Sequence, residues 1–181
     1  MPLRPVIQRR LDRLETKTRS LLQLLENIPP ELLTKQPAPD SWSALQALNH
    51  VYLGEKLSQQ YVHYKFTKPE TIPPLLPDAW VRILALKWIL RSRMKYRSPK
   101  PINMWGDQQI LGIPELRSAW KELRADLKAI LEDKEEEFMY RLPYKQPFAG
   151  RMSLNQMLIF FDCHLDHHTR QIREILARVS S

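Results

Sequence analysis

The sequence predicts an all-α fold, a four-helix bundle with one accessory helix, on three observations. Apolar residues recur at steps of three and four along most of the chain, and no strand-like alternation runs for more than a few residues. Prolines punctuate the periodic stretches as helix stops, first Pro29-Pro30 and later Pro69, Pro73, Pro74 and Pro77. Two capping-box signatures, Ser43 with Gln46 and Ser153 with Gln156, mark helix starts, because a hydroxyl and an amide at that spacing satisfy orphan backbone N–H groups.

Helix A is expected over residues 4 to 27, with Val6, Ile7, Leu11, Leu14, Leu21, Leu25 and Ile28 on one stripe. Helix B opens near Trp42, with Ser43 at its cap, and runs to about Phe66. The prolines that follow form a stiff, extended connection into helix C, residues 79 to 97, for which Asp78 is available as N-cap. A second loop, 98 to 113, contains Pro99 and Pro101. Helix D then begins at Pro114, whose fixed φ suits a first helical turn, and reaches Glu137. Residues 140 to 151, with two prolines and Gly150, read as loop, and helix E covers Leu154 to Val179. Long amphipathic helices with one proline-rich crossover fit a bundle, helix C being the accessory element on the crossover.

Composition bounds the function. With 181 residues, 43% of them hydrophobic, the chain is expected to form one domain over 1–181. Its four glycines form neither a G-x-x-x-x-G-K-[ST] nor a G-x-G-x-x-G pattern, which excludes a P-loop or Rossmann nucleotide site. A lone cysteine, Cys163, makes no internal disulfide and no multi-thiolate zinc site, and is read as a small core residue. No apolar run is long enough for a membrane span, and no apolar stretch follows the N-terminus, so a soluble, cytoplasmic protein is expected. The net charge is +8, and much of the surplus lies in Arg82 to Lys100, which holds seven basic residues and no acid. That segment reads first as a solvated helix face; with Trp88 and Tyr96 inside it, the alternative is a patch for a polyanion or an anionic membrane. No DNA or RNA motif accompanies it.

The chemistry concentrates on helix E. Its apolar ladder Leu154, Met157, Phe161, Ile172, Ile175, Val179 passes through positions 164 and 168, and both are histidine. Four residues apart, their imidazoles lie one turn apart on one face, a chelating geometry. Burying two imidazoles costs desolvation unless each ring nitrogen has a partner. Either they are satisfied core histidines, or they face a polar cavity between helices, or they hold a metal. His50 on helix B supplies a third candidate, in register with Gln46, Leu53, Leu57 and Tyr61, with Gly54 one turn later leaving space beside its ring. A His on one helix facing an i,i+4 pair on another is how bundles build metal sites, and three histidines leave an open position for water or substrate. Gln46, one turn before His50, is the candidate partner that orients a ligand imidazole; Gln171, one turn beyond His167, faces either the same shell or a neighbour. His167 is offset from the ladder, and His63 reads as a surface residue.

Two segments resemble the DinB/YfiT-like superfamily of bacterial helical-bundle proteins. One is Asp40-Ser41-Trp42-Ser43 leading to Leu48-Asn49-His50, with the His eight residues after the Trp. The other is Phe148-Ala149-Gly150 followed by His164-Leu165-Asp166-His167-His168-Thr169-Arg170-Gln171-Ile172. The resemblance implies an up-down-down-up four-helix bundle, a homodimer in many members, and a divalent metal, often nickel or zinc, on three histidines, here His50, His164 and His168. It also implies an activity of metal-dependent hydrolase or thiol S-transferase type, the latter using low-molecular-weight thiols. The expectation from a different class is a non-catalytic bundle that binds a partner or an anionic surface through helix C, residues 79–97.

Overall fold

The computed structural model describes residues 3–75, 78–91, 109–138, 140–147 and 149–180, with the main chain alone at 91 and 135. The described chain is mostly helical. In order it forms α1 (Pro5–Glu26), α2 (Pro30–Thr34), α3 (Ala44–Phe66), a 3-10 turn (Pro69–Thr71), α4 (Asp78–Arg91), α5 (Ile113–Phe138), β1 (Tyr144–Gln146), β2 (Gly150–Met152) and α6 (Leu154–Val179).

Local signals set the long helices. Both capping boxes form as predicted: Ser43 Oγ accepts from Gln46 N and Gln46 Oε1 from Ser43 N, and Ser153 and Gln156 repeat the exchange. Pro5 at the first turn of α1 and Pro30 at that of α2 spend no hydrogen bond there. The predicted bounds of α1, α3, α5 and α6 hold to within a residue or two.

Three expectations are corrected, and one lies outside the described residues. Residues 140–151 are not plain loop: Tyr144 pairs with Met152 and Gln146 with Gly150 in an antiparallel hairpin, and Gly150 takes a φ of 75° that a side chain resists. The proline-rich connection is stitched to the same region, because Leu142 N donates to Pro73 O and Pro74 bridges to Arg141. Asp78 is the first residue of α4 rather than its cap, and pairs with Arg82 one turn on. Residues 92–97 of the predicted helix C, and most of the loop 98–113, lie outside the described residues. Finally, the rows drift at their edges, leaving Val6 and Leu57 exposed.

The core draws on all six α-helices and the hairpin, from Leu14 and Leu25 through Leu48 and Val51 to Trp120, Leu127, Met157, Phe161 and Ile172. Helix α6 packs against α1, α3 and α4, and α5 packs against α1 and α3. A polar clamp fixes the entry to α5: Asn49 on α3 accepts from Leu111 N and donates to Leu111 O, each at 2.9 Å. A buried ion pair joins α3 to α5, with Arg124 Nη2 donating to Glu55 Oε1 at 3.1 Å and the Trp120 indole donating to Oε2 at 3.1 Å. These ties fix α3 relative to its neighbours, and α3 carries His50.

Candidate metal centre

Helix α6 presents His164 and His168 one turn apart toward α3, and α3 presents His50 toward them. The close approach has a local cause at Gly54: a Cβ built there would lie 3.6 Å from His164 Cε1, so the ring packs on bare backbone. Gly54 therefore accommodates His164, where space beside His50 is expected from spacing alone. One potential ligand atom from each histidine falls within a group spanning no more than 4.8 Å. Ring centroids are 4.5 Å apart for His164 and His168, 4.7 Å for His50 and His168, and 5.2 Å for His50 and His164.

Hydrogen bonding fixes one tautomer. The Gln171 amide oxygen lies 2.7 Å from His168 Nδ1, and a carbonyl only accepts, so Nδ1 carries the proton. Neutral His168 then has its lone pair on Nε2, which points into the triad at 3.0 Å from His164 Nε2. Gln171 is thus the residue that orients a triad imidazole. Gln46 is placed otherwise, because its side-chain oxygen is spent on the Ser43 cap of α3.

The electrostatics favour lone pairs over protons. Burial pushes His50 down to about 4, with a smaller contribution from His167. His168 falls to about 3, again mainly through burial, then through His50 and His167, and the Gln171 bond offsets only part of this. Burial and the neighbouring His168, His50 and His167 hold His164 well below the usual range. All three rings are neutral near pH 7, the state a metal ligand requires. No carboxylate figures among the groups that shift them.

Aromatic rings wall the triad. Trp42, just ahead of the α3 cap, lies 4.8 Å from His50 and 6.2 Å from His168 between ring centroids. Phe160 stacks on His164 at 5.2 Å. Phe160 is not among the residues that the sequence reading singles out, yet the signal is there, since it precedes His164 by one helical turn. His168 is 7% exposed, whereas His50 is partly accessible. His167 lies outside the triad but packs edge-on against His168, ring centroids 5.0 Å apart, and places Nδ1 3.1 Å from Leu90 O on α4. Cys163 is buried in the core and His63 is exposed, both as expected.

The triad passes a test of fit for a divalent ion. It offers three neutral nitrogen donors, one of them oriented by an amide, and His50 Nδ1 is buried with no hydrogen-bond partner among the described residues. A core built only to satisfy its histidines would not orphan that nitrogen. Among the described residues this is the one group of His, Cys, Asp or Glu with such spacing.

The model of the DinB superfamily matches residues 13–172, and the chain belongs to that superfamily. No curated protein and no solved structure matches it significantly.

Proposed function

We propose that this DinB-superfamily chain is a metal-dependent enzyme in which His50, His164 and His168 hold one divalent ion, zinc or nickel, and activate water or a low-molecular-weight thiol beside it. The observation that carries the reading is the convergence of three neutral imidazoles within 4.8 Å, one of them held in the ligand tautomer by Gln171. When bound, a divalent ion on three neutral histidines supplies a Lewis acid that lowers the pKa of water toward about 7 and holds a thiol as its thiolate.

The chain's own residues do the rest. His168 keeps its proton on Nδ1 through Gln171 and so offers Nε2. His164 must carry its proton on Nδ1 to free the Nε2 that faces His168. With no carboxylate in the set, the three neutral imidazoles would leave a bound divalent ion its full positive charge, which would favour an anionic nucleophile beside it. Trp42 and Phe160 supply apolar walls that exclude water and fit an uncharged electrophile. The same reading takes α1, α3, α5 and α6 as a four-helix bundle with α4 accessory to it, supported by the way these helices pair.

Turnover tests it. Purified protein supplied with zinc or nickel is screened with ester and amide substrates for hydrolysis, and with small thiols plus alkyl halide or epoxide electrophiles for transfer. Activity that is lost on chelation, restored by metal and absent from His50→Ala supports the reading. Activity indifferent to chelation, or undiminished in His50→Ala, overturns it.

A further inference from the structure

Helix α4 has two apolar faces and only one of them is covered. Its inner face, Ala79, Ile83 and Leu86, is buried, and its last turn is tied to α6, where Arg170 Nη2 donates to Leu90 O at 2.6 Å. Its outer face exposes Trp80 (43%), Val81 (68%), Leu84 (61%) and Trp88 (66%). At 100° per residue these four side chains share an arc of about 100°, one continuous apolar stripe. The described part of α4 is therefore not the solvated, charged face that the composition of 82–100 suggests. Two tryptophans at 43% and 66% exposure on one stripe mark a contact surface rather than scattered surface apolars.

Charge says what it contacts. The only acid on α4 is Asp78, already paired with Arg82, and the sequence from Ala79 to Gly106 contains no Asp or Glu. Arg82 to Lys100 contributes seven positive charges to that stretch. A Trp, Val and Leu stripe bordered by Lys87 and followed in the sequence by basic residues with no acid among them has the composition of a helix that lies in a membrane interface, where indoles sit at headgroup depth and cations meet anionic lipid. A second copy is disfavoured, because a two-fold contact through this stripe would bring Lys87 of each copy to one interface with no acid on the stripe to answer it. Single-stranded nucleic acid fits the charge but not the stripe, since Val81 and Leu84 offer no stacking surface for bases.

We infer that the outer face of α4, through Trp80, Val81, Leu84 and Trp88, docks this protein on an anionic lipid surface. This is independent of the metal site, and vesicles test it. Intact protein is mixed at low salt with phosphatidylcholine vesicles with or without about 30 mol% phosphatidylglycerol, and both co-sedimentation and tryptophan emission are read. The parent is expected to sediment with the anionic vesicles, with a blue-shifted emission, and to bind neutral vesicles at least about ten-fold more weakly. Leu84→Ser/Trp88→Ser changes exposed side chains only and so keeps the helical circular dichroism, yet its affinity for anionic vesicles should fall at least about ten-fold. Absence of parent binding, or equal binding by the variant, overturns the inference. So does binding to a single-stranded polynucleotide without vesicle binding, or a solution dimer that the double substitution dissociates while vesicles are ignored.

Discussion

Acidification of the metal-free protein reports directly on the triad. His50 stands near 4 and His168 near 3 in the folded chain, against an unfolded value near 6.5, so between about pH 6.5 and 4 the unfolded chain binds protons that the folded chain refuses. Stability is therefore highest above pH 6.5 and is lost as pH falls, by up to about 1.4 kcal/mol per unit for each histidine. From pH 7 to pH 5 each of these two loses about 2 kcal/mol, together about 4 kcal/mol, and His164 adds in the same direction. Urea unfolding in the presence of a chelator, at pH 7, 6 and 5, measures this, and His168→Gln removes one titrating ring without charging the site. The variant's slope against pH should be shallower than the parent's by about 1.4 kcal/mol per unit below pH 6. Parallel slopes would refute the account of buried, neutral imidazoles.

Three further outcomes follow from the packing around the site. Gln171→Leu removes the acceptor that holds the His168 tautomer and should weaken zinc affinity by about 10- to 100-fold by calorimetric titration, with little change in unfolding temperature. Gly54→Ala adds a methyl at ordinary contact distance from His164 and gains helix propensity, so it should stabilise by up to about 1 kcal/mol and keep metal uptake, whereas Gly54→Leu should displace the ring and lose uptake. Glu55→Ala strands Arg124 and the Trp120 indole in the core and should cost about 3–5 kcal/mol in urea unfolding; a loss below about 1 kcal/mol would mean the pair contributes little.

Much of this was legible in the chain because the informative signals are local. A capping box is written within four residues, so the starts of α3 and α6 follow from Ser43 and Ser153. An i,i+4 histidine pair in an apolar ladder is equally local, which is how His164 and His168 stand out. What was not legible depends on partners distant in sequence. The hairpin has strands of three residues, too short for alternation, and Tyr144 and Met152 pair through a turn that Gly150 permits. Five-residue α2 is shorter than one apolar repeat needs. Position on the helix made Gln46 the orienting residue, but periodicity cannot show that its oxygen is already used by a cap, nor that Gln171 reaches back three residues to His168. The outer face of α4 was masked by averaging, because the charges of 82–100 cluster in the second half of the segment while the first half is largely apolar.

The central claim, that three histidines from α3 and α6 form a divalent metal site, is tested most directly by metal stoichiometry. Protein purified without a chelating tag, and again after dialysis against zinc or nickel, is analysed for metal beside a His50→Ala, His164→Ala, His168→Ala variant whose helicity is checked by circular dichroism. The account predicts about one ion per chain in the parent and none in the variant. A parent that takes up neither metal, or a folded variant that binds as much, would contradict it.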